Sequence, residues 1–178
     1  TVFACFDQPD LKAPYTVAVT APQEWTVLGN GGATLVAPGR TELAPTPPLA
    51  TYFVTVCAGP WASVRAEHDG IPLGVHTRRS LEPHLREQAE HVLETTRVCF
   101  DYYHRLFGIR YPFGEYHQVF VPEFNAGAME NPGCVTFRDT MIFRGASTPD
   151  QVLQRTNTIA HEMAHMWFGD LVTMTWWD

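Results

Sequence analysis

Lysine is nearly absent from this chain of 178 residues: Lys12 stands alone against eleven arginines. No basic run occurs anywhere, and the formal net charge is −7. Nucleic acid and anionic membrane surfaces call for a clustered positive face, so neither is expected as a partner. Cysteine is scarce too. Cys5, Cys57, Cys99 and Cys134 form no CxxC pair, which argues against a disulfide framework and predicts free, buried thiols in a reducing, cytoplasmic setting. No apolar run approaches the length of a membrane span. No charged-then-apolar leader opens the chain, but Thr1 rather than Met stands first, so that absence is uninformative. Charged residues make up 17% and hydrophobic ones 45%, a balance that supports a sizeable core and excludes a disordered chain.

What is present divides near "AGPW" at 58–61. Before it, the stretches 15–21, 25–30, 33–37 and 50–59 alternate or run apolar with β-branched and aromatic residues, separated by Pro, Gly and Asn. Asn30-Gly31-Gly32 reads as a hairpin turn. These strands predict part of an antiparallel saddle or sandwich over residues 1–59. Residues 60–178 read as mixed. Strands are expected at 61–67, 71–77 and 116–122, and a further pair at 133–139 and 141–145. A long helix opens at Ser80, carries Pro83 in its first turn, and ends at Phe107 with Gly108 suited to the C′ position. A second helix begins with Thr148-Pro149-Asp150-Gln151, a capping box with Pro at N1, and runs to about Phe168. The fold class is therefore α+β.

That second helix carries "HEMAH" at 161–165. Residues four apart share a helix face, so His161 and His165 aim two imidazoles at one point, a good pair of zinc ligands. Glu162 lies beside that point, placed to take a proton from an attacking water and pass it to a leaving amine. The neighbours Ile159, Ala160, Met163, Ala164, Met166, Trp167 and Phe168 suggest a helix apolar nearly all round, in which two histidines and a glutamate require a polar purpose. The alternative is a chance pattern on a helix surface. The remaining histidines have no partners at ligand spacing: His68, His84, His91 and His104 read as solvent-facing, and His76 and His117 as strand residues that fit a core. A third ligand is missing. The metzincin pattern wants a Gly and a His where Phe168 and Leu171 stand. Asp170 sits close to the helix end, poorly placed to reach back, and no Glu follows Glu162.

A second stretch, "GAMEN" at 127–131, has Gly127 and Ala128 to permit close backbone approach and Glu130 as a candidate partner for a cation. On its own it reads equally as a surface turn with a solvated glutamate. The two motifs together, followed by "MWFGDLVT" and preceded by "VFACFDQPDLKA" at 2–13, closely resemble the zinc aminopeptidase N family, its bacterial members most of all. The resemblance runs along essentially the whole chain. It implies an aminopeptidase N-terminal β domain leading into a thermolysin-like catalytic domain. It also implies Zn2+ on His161 and His165, Glu162 as general base, and Glu130 holding the free α-amino group of a peptide along the Gly127–Ala128 backbone. The family's third ligand, a Glu on the following helix, falls beyond Asp178. So does its transition-state-stabilising Tyr. The chain is therefore expected to be an internal fragment, inactive alone. Two other readings stay open. A thermolysin-like endopeptidase needs no amine anchor, so Glu130 speaks against it; an inert packing module would bind no metal. Neither the oligomeric state nor the preferred first residue is legible.

Overall fold

The computed structural model describes residues 3–176. Ten strands and two helices follow in order: β1 Ala18–Thr20, β2 Thr26–Gly29, β3 Ala33–Ala37, β4 Arg40–Leu43, β5 Val56–Gly59, β6 Trp61–His68, β7 Ile71–Arg78, α1 Glu82–Phe107, β8 Tyr116–Val121, β9 Ala128–Met129, β10 Cys134–Arg138 and α2 Pro149–His165. The main sheet has the order β6-β7-β8-β10-β9. β7, β8 and β10 run parallel at its centre, while β6 and β9 pair antiparallel at its edges. Strands buried on both faces should be continuously apolar or internally satisfied. β8 is buried from Tyr116 to Phe120 and β10 from Cys134 to Phe137. The α+β class is thus observed, as a mixed sheet with helices against it.

α1 packs on this sheet with Leu85, Ala89, Val92, Leu93 and Phe100, the i, i+4, i+7 stripe that its sequence carries. Gly108 ends it in the left-handed conformation (φ 66°), where its N–H reaches the His104 carbonyl at 3.0 Å. α2 lies against α1, tied by Tyr103 Oη to the Ala160 carbonyl at 3.0 Å, and just beyond α2 the Trp167 Nε1–H donates to the Ile109 carbonyl at 2.9 Å. The capping box is formed: the Gln151 N–H donates to Thr148 Oγ1 (3.3 Å) and the Thr148 N–H to Gln151 Oε1 (2.9 Å).

Several expectations are corrected. Asn30-Gly31-Gly32 makes no hairpin, because β2 pairs with β5, while β3 pairs with β4, and β4 with β1, in a separate sheet. The Asn30 side chain is buried instead. Its Nδ2 donates to the carbonyls of Phe53 and Pro132 (2.9 Å each), and its Oδ1 accepts from the Thr55 N–H (2.9 Å). The stretch 50–59 is a 3-10 turn at Thr51–Phe53 followed by β5, and 141–145 is not a strand but a loop after a 3-10 turn at Asp139–Met141. α2 is amphipathic rather than apolar all round: Leu153, Asn157 and His161 are exposed while Arg155, Ile159, Glu162 and Met163 are buried. Cys57 and Cys134 are buried free thiols as expected, but Cys5 is exposed. His104 is not solvent-facing; its half-buried Nε2 accepts from the Tyr111 N–H at 3.1 Å.

Candidate metal and substrate site

α2 ends at the candidate metal centre, and its period does what the spacing demands. His161 Nε2 and His165 Nε2 face each other 3.1 Å apart. His165 Nδ1 lies 3.0 Å from the Phe168 carbonyl, which only accepts, so the ring proton sits on Nδ1 and the Nε2 lone pair is free. Two zinc–nitrogen bonds of about 2.0–2.1 Å at a tetrahedral angle would separate their nitrogens by roughly 3.3 Å. The observed separation and the tautomer therefore fit a zinc ion without rebuilding the helix.

β9 carries the other half. It pairs through Met129 and Ala128 with Thr136 and Phe137 of β10, which makes "GAM" an edge strand rather than a free turn. Gly127 is exposed, Ala128 and Glu130 half-buried, and Glu130 follows directly where the strand turns toward α2. Asn131 is buried and locks that turn: its Nδ2 donates to the Phe53 carbonyl (3.1 Å), and its Oδ1 accepts from Thr136 Oγ1 (3.2 Å). Gly133 has φ 78°, and a Cβ there would meet the Asn30 carbonyl oxygen at 2.8 Å, so no other residue fits. As a result Glu130, Glu162 and His165 each bring one ligand-capable atom within 4.8 Å of the others. His161, expected as a ligand, is not among those three; of them, its recorded contact is with His165, at 3.1 Å between the Nε2 atoms.

Glu162 is 5% exposed. Burial, helped by the neighbouring Glu130 and opposed by His165, pushes its carboxyl up to about 7. A carboxyl poised there both accepts and releases a proton near neutral pH.

Two further residues at the site had no sequence signal strong enough to find them. Asp170 is buried, and neither of its carboxylate oxygens has a hydrogen-bond partner among the described residues. Burial, with Glu130 and Glu162 close by and Lys12 opposing, pushes its carboxyl up to about 9, so it is held neutral. Asp170 does not join the three-residue donor group. Lys12, the chain's single lysine, donates its Nζ to the Asp170 carbonyl at 2.9 Å. Its isolation in the composition was the only available hint. Trp177, Asp178 and the third ligand expected beyond them lie outside the described residues.

Comparison with known proteins bears on this geometry. Residues 91–178 match the peptidase family M1 domain. The chain is 48% identical over 181 residues to aminopeptidase N of Streptomyces lividans, covering 99% of this chain and 21% of that protein. It is 37% identical over 185 residues to aminopeptidase N of Acetobacter pasteurianus (99% and 51%). It is 33% identical over 184 residues to human glutamyl aminopeptidase (99% and 19%). The chain thus spans between about a fifth and a half of the length of these relatives. With the family's domain over its second half and aminopeptidases N aligned along nearly all of it, the chain belongs to peptidase family M1 as a relative of the aminopeptidases N.

Proposed function

We propose that the protein to which this chain belongs is a zinc aminopeptidase that removes the first residue from peptides with a free N-terminus. The observation that carries the reading is the convergence of Glu130, Glu162 and His165 within 4.8 Å, with His161 beside them. His161 and His165 would hold the zinc, which when bound supplies Lewis acidity at the reacting carbonyl. Glu130 is a carboxylate at a fixed short distance from that point, and it holds the substrate ammonium. An α-ammonium exists only at a chain end, so cleavage of a single residue follows from this arrangement. The backbone of Gly127 and Ala128, on the outer side of the edge strand, aligns the peptide as an added strand. Glu162 takes the proton from the water whose oxygen attacks the carbonyl carbon. It then delivers the proton to the nitrogen as the C–N bond breaks. An endopeptidase has no use for Glu130 in this position.

We further assign residues 1–59 to the later part of a saddle-shaped N-terminal β domain and 60–178 to the first part of a thermolysin-like domain. A Glu beyond Asp178 would complete the zinc site, so we expect this chain alone to be inactive. A cytoplasmic setting is proposed from the four cysteines without a CxxC pair. The full-length protein tests the main reading. Glu162→Gln should retain zinc and lose turnover by several orders of magnitude. Glu130→Ala should lose discrimination between free and N-acetylated termini. Near-normal turnover in the first variant would remove Glu162 from the mechanism.

A further inference from the structure

A cavity of about 320 Å3 opens beside the candidate substrate backbone, between the start of α2 and the end of β10. Gly127, Arg138, Thr140, Gln151, Gln154 and Arg155 contribute to its wall. Two guanidinium groups therefore border one space. Neither forms an ion pair among the described residues, and the acid nearest in sequence, Asp139, is already paired with Arg78 at 2.8 Å. Arg138 donates only to main-chain carbonyls, those of Phe124 and Asn125, at 3.1 Å each. Arg155 is buried (3% exposed). It donates to Gln88 Oε1 and the Met141 carbonyl and contacts His91 Nδ1, yet its Nε has no partner among the described residues. Carbonyls and amides satisfy donors but do not neutralise charge. The Phe143 ring, 4.6 Å from Arg155 Cζ, gives that cation an aromatic face but no countercharge. Two guanidinium groups without an acidic partner among the described residues make a site for a carboxylate, which takes forked donors well.

The position of the cavity says which carboxylate. Arg155 precedes Glu162 by two helical turns on the same buried face, about 10 Å along the axis. An extended peptide advances about 3.3 Å per residue. A substrate lying along Gly127 with its reacting carbonyl at Glu162 would therefore bring the cavity level with a residue roughly three positions further along. Building on the aminopeptidase reading above, we propose that this cavity binds a carboxylate on the peptide substrate about three residues beyond the cleaved bond. The source is the C-terminus of a tetrapeptide or an acidic side chain at that place in a longer one.

The test uses the zinc-loaded full-length protein and four peptides: tetra-alanine as free acid, tetra-alanine amide, and the amides Ala-Ala-Glu-Ala and Ala-Ala-Ala-Glu. A single charge-assisted contact is worth about tenfold. The free acid or one of the acidic amides should accordingly be cleaved with kcat/KM about tenfold above tetra-alanine amide, the gain residing in KM. Which of them gains identifies the source. Arg138→Gln should bring the ratio to one, and Arg138→Lys should keep most of it. A merely structural role of Arg138 in holding the 124–125 loop would lower kcat for all four peptides and leave the ratio alone. Equal kcat/KM for all four peptides in the wild type, or a ratio that survives Arg138→Gln, would overturn the proposal. Release of no N-terminal alanine from any of the four would instead sink the aminopeptidase reading itself.

Discussion

Acidification should weaken this fold through His76. The ring is fully buried in β7, with Nε2 2.9 Å from His117 Nδ1 and Nδ1 2.8 Å from Ser63 Oγ. His117 in turn reaches Glu115 Oε1 at 3.3 Å. The polarity is self-consistent: Ser63 donates to His76, His76 to His117 and His117 to Glu115, so both rings are satisfied neutral. Burial, with His117 and Arg65 adding repulsion, holds the His76 pKa down to about 3. In the unfolded chain the ring titrates near 6.5. Stability from this group is therefore present above 6.5 and is lost as pH falls toward 3, because the unfolded state binds the proton first. At about 1.4 kcal/mol per pH unit, the loss between pH 7 and pH 5 is about 2 kcal/mol. Urea denaturation at the two pH values should show it, and His76→Gln should lose about 2 kcal/mol less over the same interval. The raised carboxyls of Glu162 and Asp170 act with the opposite sign but are common to both proteins and cancel in the difference. An identical pH loss in wild type and variant, or a ring that NMR shows charged at pH 5, would refute the reasoning.

Gly74 pairs with His117 across β7 and β8, and a Cβ there would meet His117 Nδ1 at 2.3 Å and His76 Nε2 at 2.4 Å. Gly74→Ala should destabilise by about 2–4 kcal/mol through overpacking and a broken buried bond, read as a lowered denaturant midpoint. Lys12→Met should cost about 1–3 kcal/mol by freeing the Asp170 carbonyl, and should weaken zinc retention against a chelator in the full-length protein.

Periodic features were legible in advance. The stripe of α1, the Gly108 stop, the Thr148 capping box and the histidine spacing on α2 are local, and the backbone decides them. The failures share a different cause. Asn30-Gly31 is a strong hairpin signal, but the Asn30 amide finds carbonyls in Phe53 and Pro132 that no local pattern could announce. "MIFRG" has the composition of a strand, yet Asp139 is buried to pair with Arg78, and the chain turns there instead. At the site, His161, His165 and Glu162 followed from helix geometry. The approach of Glu130 depended on β9 joining the sheet edge, and Asp170 and Lys12 meet only through tertiary structure.

The Asn30 amide also bears on how the site comes to exist in time. It closes a span of 102 residues onto Pro132, and the Lys12 ammonium closes one of 158 onto Asp170. Loop-closure entropy grows with span, and contacts of high sequence separation slow folding. The helix with its two histidines can form early from local interactions alone. Glu130 and the loop behind His165 wait for these two long-range joins. A folding intermediate of this protein would thus carry the paired imidazoles of His161 and His165 before Glu130 and Asp170 are brought up to them.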